Sequence, residues 1–277
     1  MGSGGTGAED EGIRVDQRGA VLWLTIDRPR TGNALTPDDR VRLAELLSAA
    51  EEDVTVRSIV LTATGDAFCT GADLRSSAGP PPRPADAPER IVGDVARNLR
   101  KNAQRLITTL LDLEKPVVAA VNGTAAGLGF HLALACDLVV ASENARFIEV
   151  FVRRGLVSDT GGAYLLPRLV GIQRAKELMF LGDEVSAADA QAMGLVNRVV
   201  PPDRLRDEAG ALAERLAAGP TRAIALMKWL ANRSLDSDRQ SMFDSEAYAQ
   251  DLNMTTHDGQ EGVQSFIERR KPQYRGW

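Results

Sequence analysis

Cysteine and histidine are scarce: Cys69, Cys136, His131 and His257 are all that 277 residues contain. The two cysteines lack metal-ligand spacing, which argues against a disulfide framework or a thiolate metal centre, and both read as buried free thiols. Long apolar runs are missing as well. No stretch approaches the roughly eighteen uninterrupted apolar residues of a membrane helix. The opening, MGSGGTGAEDEG, has neither a basic n-region nor an apolar h-region. A soluble, cytoplasmic chain is expected, with residues 1–12 as a flexible, glycine-rich leader. Basic excess is absent too: the net charge of −5 argues against general nucleic-acid binding but leaves room for a local basic patch.

What is present is core. Hydrophobic residues make up 44% of the chain, enough for one sizeable domain or one domain with a small appendage. The stretch Lys115 to Ser142 organises the rest. Pro116–Val121 is a short β-rich run, Asn122-Gly123 a turn signal, Thr124–Gly129 a small-residue loop, Phe130–Ala135 an apolar helix and Leu138–Ala141 a second β-rich run. A helix opening after such a loop presents free N–H groups and the positive end of its dipole, an environment suited to a developing oxyanion. Gly127 and Gly129 do not make a dinucleotide fingerprint, because no third glycine falls at the required spacing. Nor do they make a P-loop, since no Gly-Lys-Ser/Thr follows. Glycines of this kind also serve close packing or a positive φ.

A second stretch, Ala67-Phe68-Cys69-Thr70-Gly71-Ala72-Asp73-Leu74, follows the apolar strand Ser58–Thr62. Together the two stretches resemble the enoyl-CoA hydratase/isomerase (crotonase) superfamily. The resemblance runs from about Ile13 to Trp277. It implies an α/β fold of repeated ββα units, the crotonase spiral, spanning 13–200, followed by a helical region over 201–277 that assembles trimers, often paired into hexamers. It also implies an acyl-CoA substrate whose thioester oxygen meets two backbone N–H groups, here those of Ala72 and Leu128. Coenzyme A would arrive as part of the substrate; no metal and no further cofactor are called for. Ala34, Ala72, Asp73 and Leu74 fall along the CoA-binding cleft, and Arg28-Pro29-Arg30-Thr31-Gly32-Asn33-Ala34-Leu35 is similar to the family's signature beside it. Arg28 and Arg30 could meet CoA phosphates or be solvated surface cations.

Hydratases of this family use two glutamates. At their positions this chain has His131 and Phe151. Glu149 lies two residues from the second position, an even offset that would keep one face of a strand, and is a substitute candidate. Asp159, before Thr160-Gly161-Gly162, stands where isomerase-type relatives carry an aspartate; an N-cap is the alternative role. His131 opens an apolar helix. It reads either as a satisfied core residue or, if it approaches Asp159, as a partner in a proton relay.

Ser76–Pro88 is too proline-rich for helix or central strand and reads as a loop over the acyl end of the pocket. A helix from Arg90 to Leu113 follows, with Val95, Leu99, Leu106, Leu110 and Leu113 as its buried stripe. Helices are expected over Pro220–Leu235, Ser241–Met254 and Asp258–Arg270. The resemblance puts Phe266 and Arg269 at an adenine contact across the trimer interface. Three readings stand: an enoyl-CoA isomerase-type enzyme, an enoyl-CoA hydratase with atypical acids such as Glu149, and an acyl-CoA-binding protein without chemistry.

Overall fold

The computed structural model describes residues 12–76, 84–88 and 91–277. The leader therefore lies outside the described residues except for Gly12, as does most of the Ser76–Pro88 loop. Two sheets form the core, as the crotonase spiral requires. The larger contains β1 (Gly12–Arg18), β2 (Val21–Asp27), β3 (Ser58–Ala63), β5 (Val117–Val121), β7 (Leu138–Ser142) and β10 (Arg198–Val200), in that spatial order. The smaller contains β4 (Ala67–Cys69), β6 (Thr124–Ala126), β8 (Arg146–Ile148) and β9 (Glu184–Ser186). β1 and β2 form an antiparallel hairpin, and β2, β3, β5, β7 and β10 run parallel.

The parallel strands read as unbroken apolar runs because both faces are covered. Leu24, Ile26, Ile59, Leu61, Ala119 and Val121 face one core, shared with Leu43 and Leu47 of α1 (Pro37–Glu52). Val21, Trp23, Val60, Val118 and Val140 face the other, closed by Ala209, Leu212 and Ala213 of α8 (Leu205–Ala217). The first helix beyond residue 200 is thus packed on the sheet itself. α1 starts at a capping box: the Thr36 hydroxyl accepts from Asp39 N–H, the Asp39 side chain accepts from Thr36 N–H, and Pro37 occupies the first turn.

The helix read over Arg90–Leu113 is two helices, α2 (Asp94–Lys101) and α3 (Ala103–Asp112), parted at Asn102 by φ −121° and ψ −93°. Leu106, Leu110 and Leu113 reach the core, whereas Val95 is exposed, because the break turns the first segment away from it. Thr124–Ala126, read as loop, is strand β6. Its partners are the distant β4 and β8, which no local pattern encodes. The chain continues through α4 (Leu128–Ala135), α5 (Gly162–Val170), α6 (Ile172–Leu181) and α7 (Ala187–Ala192) and, beyond α8, ends in α9 (Thr221–Arg233), α10 (Arg239–Met254) and α11 (His257–Ile267). No helix among the described residues is long and apolar enough to cross a membrane.

Candidate active site

Three neighbouring parallel strands of the smaller sheet, β4, β6 and β8, end at one edge, the position where open parallel sheets present their chemistry. β4 leads to Thr70-Gly71-Ala72. Leu35 N–H donates to the Gly71 carbonyl at 2.9 Å, and Asp73 N–H donates to the Leu35 carbonyl at 3.0 Å. This bridge skips the Ala72 N–H, which has no acceptor among the described residues. From β6 the chain turns at Gly127, φ 53°, directly into α4. Leu128 is the first residue of that helix, so its N–H has no intrahelical acceptor.

The two turns touch through backbone. A Cβ on Gly71, φ 113°, would stand 3.2 Å from the Ala126 carbonyl oxygen and 4.0 Å from the Leu128 nitrogen. One on Gly129 would collide with the Cys69 carbonyl, so α4 lies against the end of β4 with no room for a side chain. Cys69 is buried here and burial pushes its thiol up to about 12, which leaves it inert as a nucleophile. Cys136 is likewise a buried free thiol.

From the end of β8 comes Glu149. The chain then leaves strand geometry for a 3-10 turn over Val150–Arg154, so the even-offset argument from strand periodicity does not hold. Glu149 nevertheless arrives at the site. Its Oε2 lies 2.7 Å from His131 Nε2, and the Thr160 Oγ1 lies 2.6 Å from His131 Nδ1. All three side chains are buried. An ionised carboxylate only accepts, so Nε2–H donates to Glu149 whenever Glu149 is charged, leaving Nδ1 for the threonine hydroxyl. Phe151 stacks on the His131 ring at 5.5 Å between centroids. Gly162 is bare because a Cβ there would collide with His131 Nε2 and the Ser158 hydroxyl.

Both His131 nitrogens are thus engaged by residues other than Asp159. Asp159 itself does not cap α5. The cap position belongs to Gly161, φ 100°, and no side chain bonds the free amides there. Its backbone carbonyl accepts from Gln104 Nε2 at 2.9 Å, which fixes the loop against α3. The carboxylate takes no hydrogen bond from another described side chain. Burial pushes it above the usual aspartate range; His131 and Arg40 oppose that shift, and Glu149 adds to it.

Arg28 is drawn inward. Its guanidinium pairs with Asp39 at 2.6 Å and approaches Asp73 at 3.7 Å, so it ties the signature loop to α1 and to the β4 turn. Asn33 completes that tie, accepting from Arg28 N–H and donating to the Thr64 and Ala67 carbonyls. Arg30 and Leu74 are exposed, and Ala34 is buried. Phe266 and Arg269 lie on the surface of the single chain at the end of α11. Among the described residues no group of three or more His, Cys, Asp and Glu side chains could hold a metal ion.

Thr160 and Arg40 were not singled out in the sequence. Thr160 carried no signal beyond its place beside Asp159. Arg40 did: it lies three, four and seven residues before Leu43, Ala44 and Leu47, on the buried face of α1.

A family profile described as Enoyl-CoA hydratase/isomerase matches residues 16–276. The chain is 37% identical over 256 residues to the 1,2-epoxyphenylacetyl-CoA isomerase of Escherichia coli K12, covering 92% of this chain and 95% of that one. It is 33% identical to the crotonyl-CoA hydratase of Syntrophomonas wolfei, covering 95% and 98% of the two chains. An enoyl-CoA hydratase crystal structure from Bacillus anthracis superposes with a TM-score of 0.87 at 32% identity, covering 96% of this chain and all of that one. One from Mycobacterium smegmatis does so at 0.85 and 34% identity, covering 95% and 98%. The ordered motifs, the paired sheets and these matches over nearly the full length agree: the chain belongs to the enoyl-CoA hydratase/isomerase family and is an acyl-CoA enzyme of the crotonase fold.

Proposed function

We propose that the enzyme shifts the double bond of an enoyl-CoA. The observation that carries this reading is Asp159, a half-buried carboxylate that caps no helix and has no side-chain hydrogen-bond partner among the described residues, in a site with neither hydratase glutamate in place. The thioester oxygen sits between the Ala72 and Leu128 N–H groups. Asp159 removes a proton from C2 of a 3-enoyl-CoA; the C–H electron pair becomes the C1–C2 π bond of an enolate, and the two N–H groups hold the oxyanion. Return of the proton at C4 moves the double bond into conjugation with the thioester. Burial raises the Asp159 pKa above the ordinary aspartate range, which makes its carboxylate a stronger base toward the C2 proton.

Coenzyme A takes part only as the carrier of the acyl group. Exposed Phe243, Tyr248, Leu252 and Phe266 on α10 and α11 support assembly into a homotrimer or hexamer, with Phe266 and Arg269 against a neighbour's adenine. Hydration of a 2-enoyl-CoA is the second reading. It is favoured by the buried Glu149 Oε1, which has no hydrogen-bond partner among the described residues, and by the hydratase names of several relatives.

The absorbance of the conjugated enoyl thioester separates the readings. Isomerisation makes it rise with a 3-enoyl-CoA; hydration makes it fall with a 2-enoyl-CoA. No change with either would leave an acyl-CoA-binding protein or another acyl-CoA reaction.

A further inference from the structure

A cation on the buried face of a helix is costly unless something accepts its hydrogen bonds. Arg40 shares that face with Leu43, Ala44 and Leu47, yet its Nε is buried without an acceptor and its guanidinium makes no ion pair among the described residues. Its place is fixed by the chain. Arg40 N–H donates to the Thr36 carbonyl, one turn from Leu35, whose backbone bridges the Gly71-Ala72-Asp73 turn. Its charge is felt at Asp159 and at Cys69. Asp39, its neighbour, is occupied by Arg28 and by the Thr36 cap.

We propose that Arg40 is a specificity-determining residue that receives a carboxylate on the acyl chain of the substrate. This rests on the reading of the site as an acyl-CoA pocket with Asp159 at the reacting carbons. The thioester oxygen is already served by the two backbone donors, and the CoA phosphates lie on the far side of the thioester. An acceptor facing Arg40 therefore belongs to the acyl group. A guanidinium fork matches a carboxylate with two parallel hydrogen bonds, a match no hydroxyl or single carbonyl offers. Charge points the same way. A second carboxylate beside Asp159 would be repelled, and Arg40 offsets that repulsion.

The test is binding of saturated thioesters, which no double-bond chemistry can transform: butanedioyl-CoA and hexanedioyl-CoA against butanoyl-CoA and hexanoyl-CoA, by calorimetry. The wild-type enzyme is expected to bind at least one carboxylated ligand about tenfold more tightly than its uncharged counterpart, a difference of about 1.4 kcal/mol. Arg40→Met should erase or invert that preference, and Arg40→Lys, which keeps the charge without the fork, should keep part of it. Equal affinities in the wild type, or a preference that Arg40→Met leaves intact, would overturn the assignment. Because no turnover is read, failure here leaves isomerisation standing, and absence of isomerisation leaves this test intact.

Discussion

His131 Nε2 and Glu149 Oε2 lie 2.7 Å apart in the interior, each on a different element. α4 carries the histidine, and the carboxylate follows the end of β8. With Thr160 on the other ring nitrogen and Phe151 stacked on the ring face, these side chains form one network. Its outlet is Thr160, the residue after Asp159.

That network should position Asp159. Thr160→Val keeps the side-chain shape but leaves a His131 nitrogen without its hydroxyl partner. A kcat loss on the order of tenfold to a hundredfold is expected, with little change in KM, alongside a stability loss of about 1–2 kcal/mol. Thr160→Ser should retain both. Steady-state kinetics and denaturant unfolding read the two effects separately, and equal loss in both variants would contradict the positioning role.

Asp159 should cost stability at neutral pH. Its folded pKa is raised, mainly by burial, so its contribution to stability is fully present below the unfolded value of ~4 and is lost as pH rises through the folded value. Asparagine carries no such charge. Asp159→Asn is therefore expected to melt higher than wild type at neutral pH, with the gap closing as pH falls toward the ordinary aspartate range. Melting curves across that window check the sign.

Arg40 should shape the pH profile. It helps hold the Asp159 pKa down against burial, so Arg40→Met lets that pKa rise. With an uncharged 3-enoyl-CoA, the acid limb of kcat/KM is expected to move to higher pH than in wild type. A limb that stays in place or moves down would show that the two charges are not coupled.

Much of this arrangement is legible in the sequence, for local reasons. The Lys115–Ser142 stretch folds as strand, glycine turn, helix and strand because each piece carries its own period and turn residues, and Thr36-Pro37 marks the start of α1 by capping chemistry. What sequence reading missed depends on partners far along the chain. Thr124–Ala126 becomes a strand through β4 and β8, and the ion pairs of Arg28 with Asp39 and Asp73 join segments far apart in the chain. Glu149 meets His131 from the end of β8, just before a 3-10 turn that strand periodicity could not anticipate. Arg40 was within reach, since a charge in line with Leu43, Ala44 and Leu47 breaks the helix pattern.

The most direct test of the proposed chemistry is the rate at which Asp159→Asn converts a 3-enoyl-CoA to its conjugated isomer, followed by thioester absorbance at saturating substrate. Loss of the proposed proton carrier is expected to lower kcat by about 100- to 10,000-fold, with binding of a saturated acyl-CoA unchanged. Turnover at the wild-type rate would remove Asp159 from the mechanism and contradict the account.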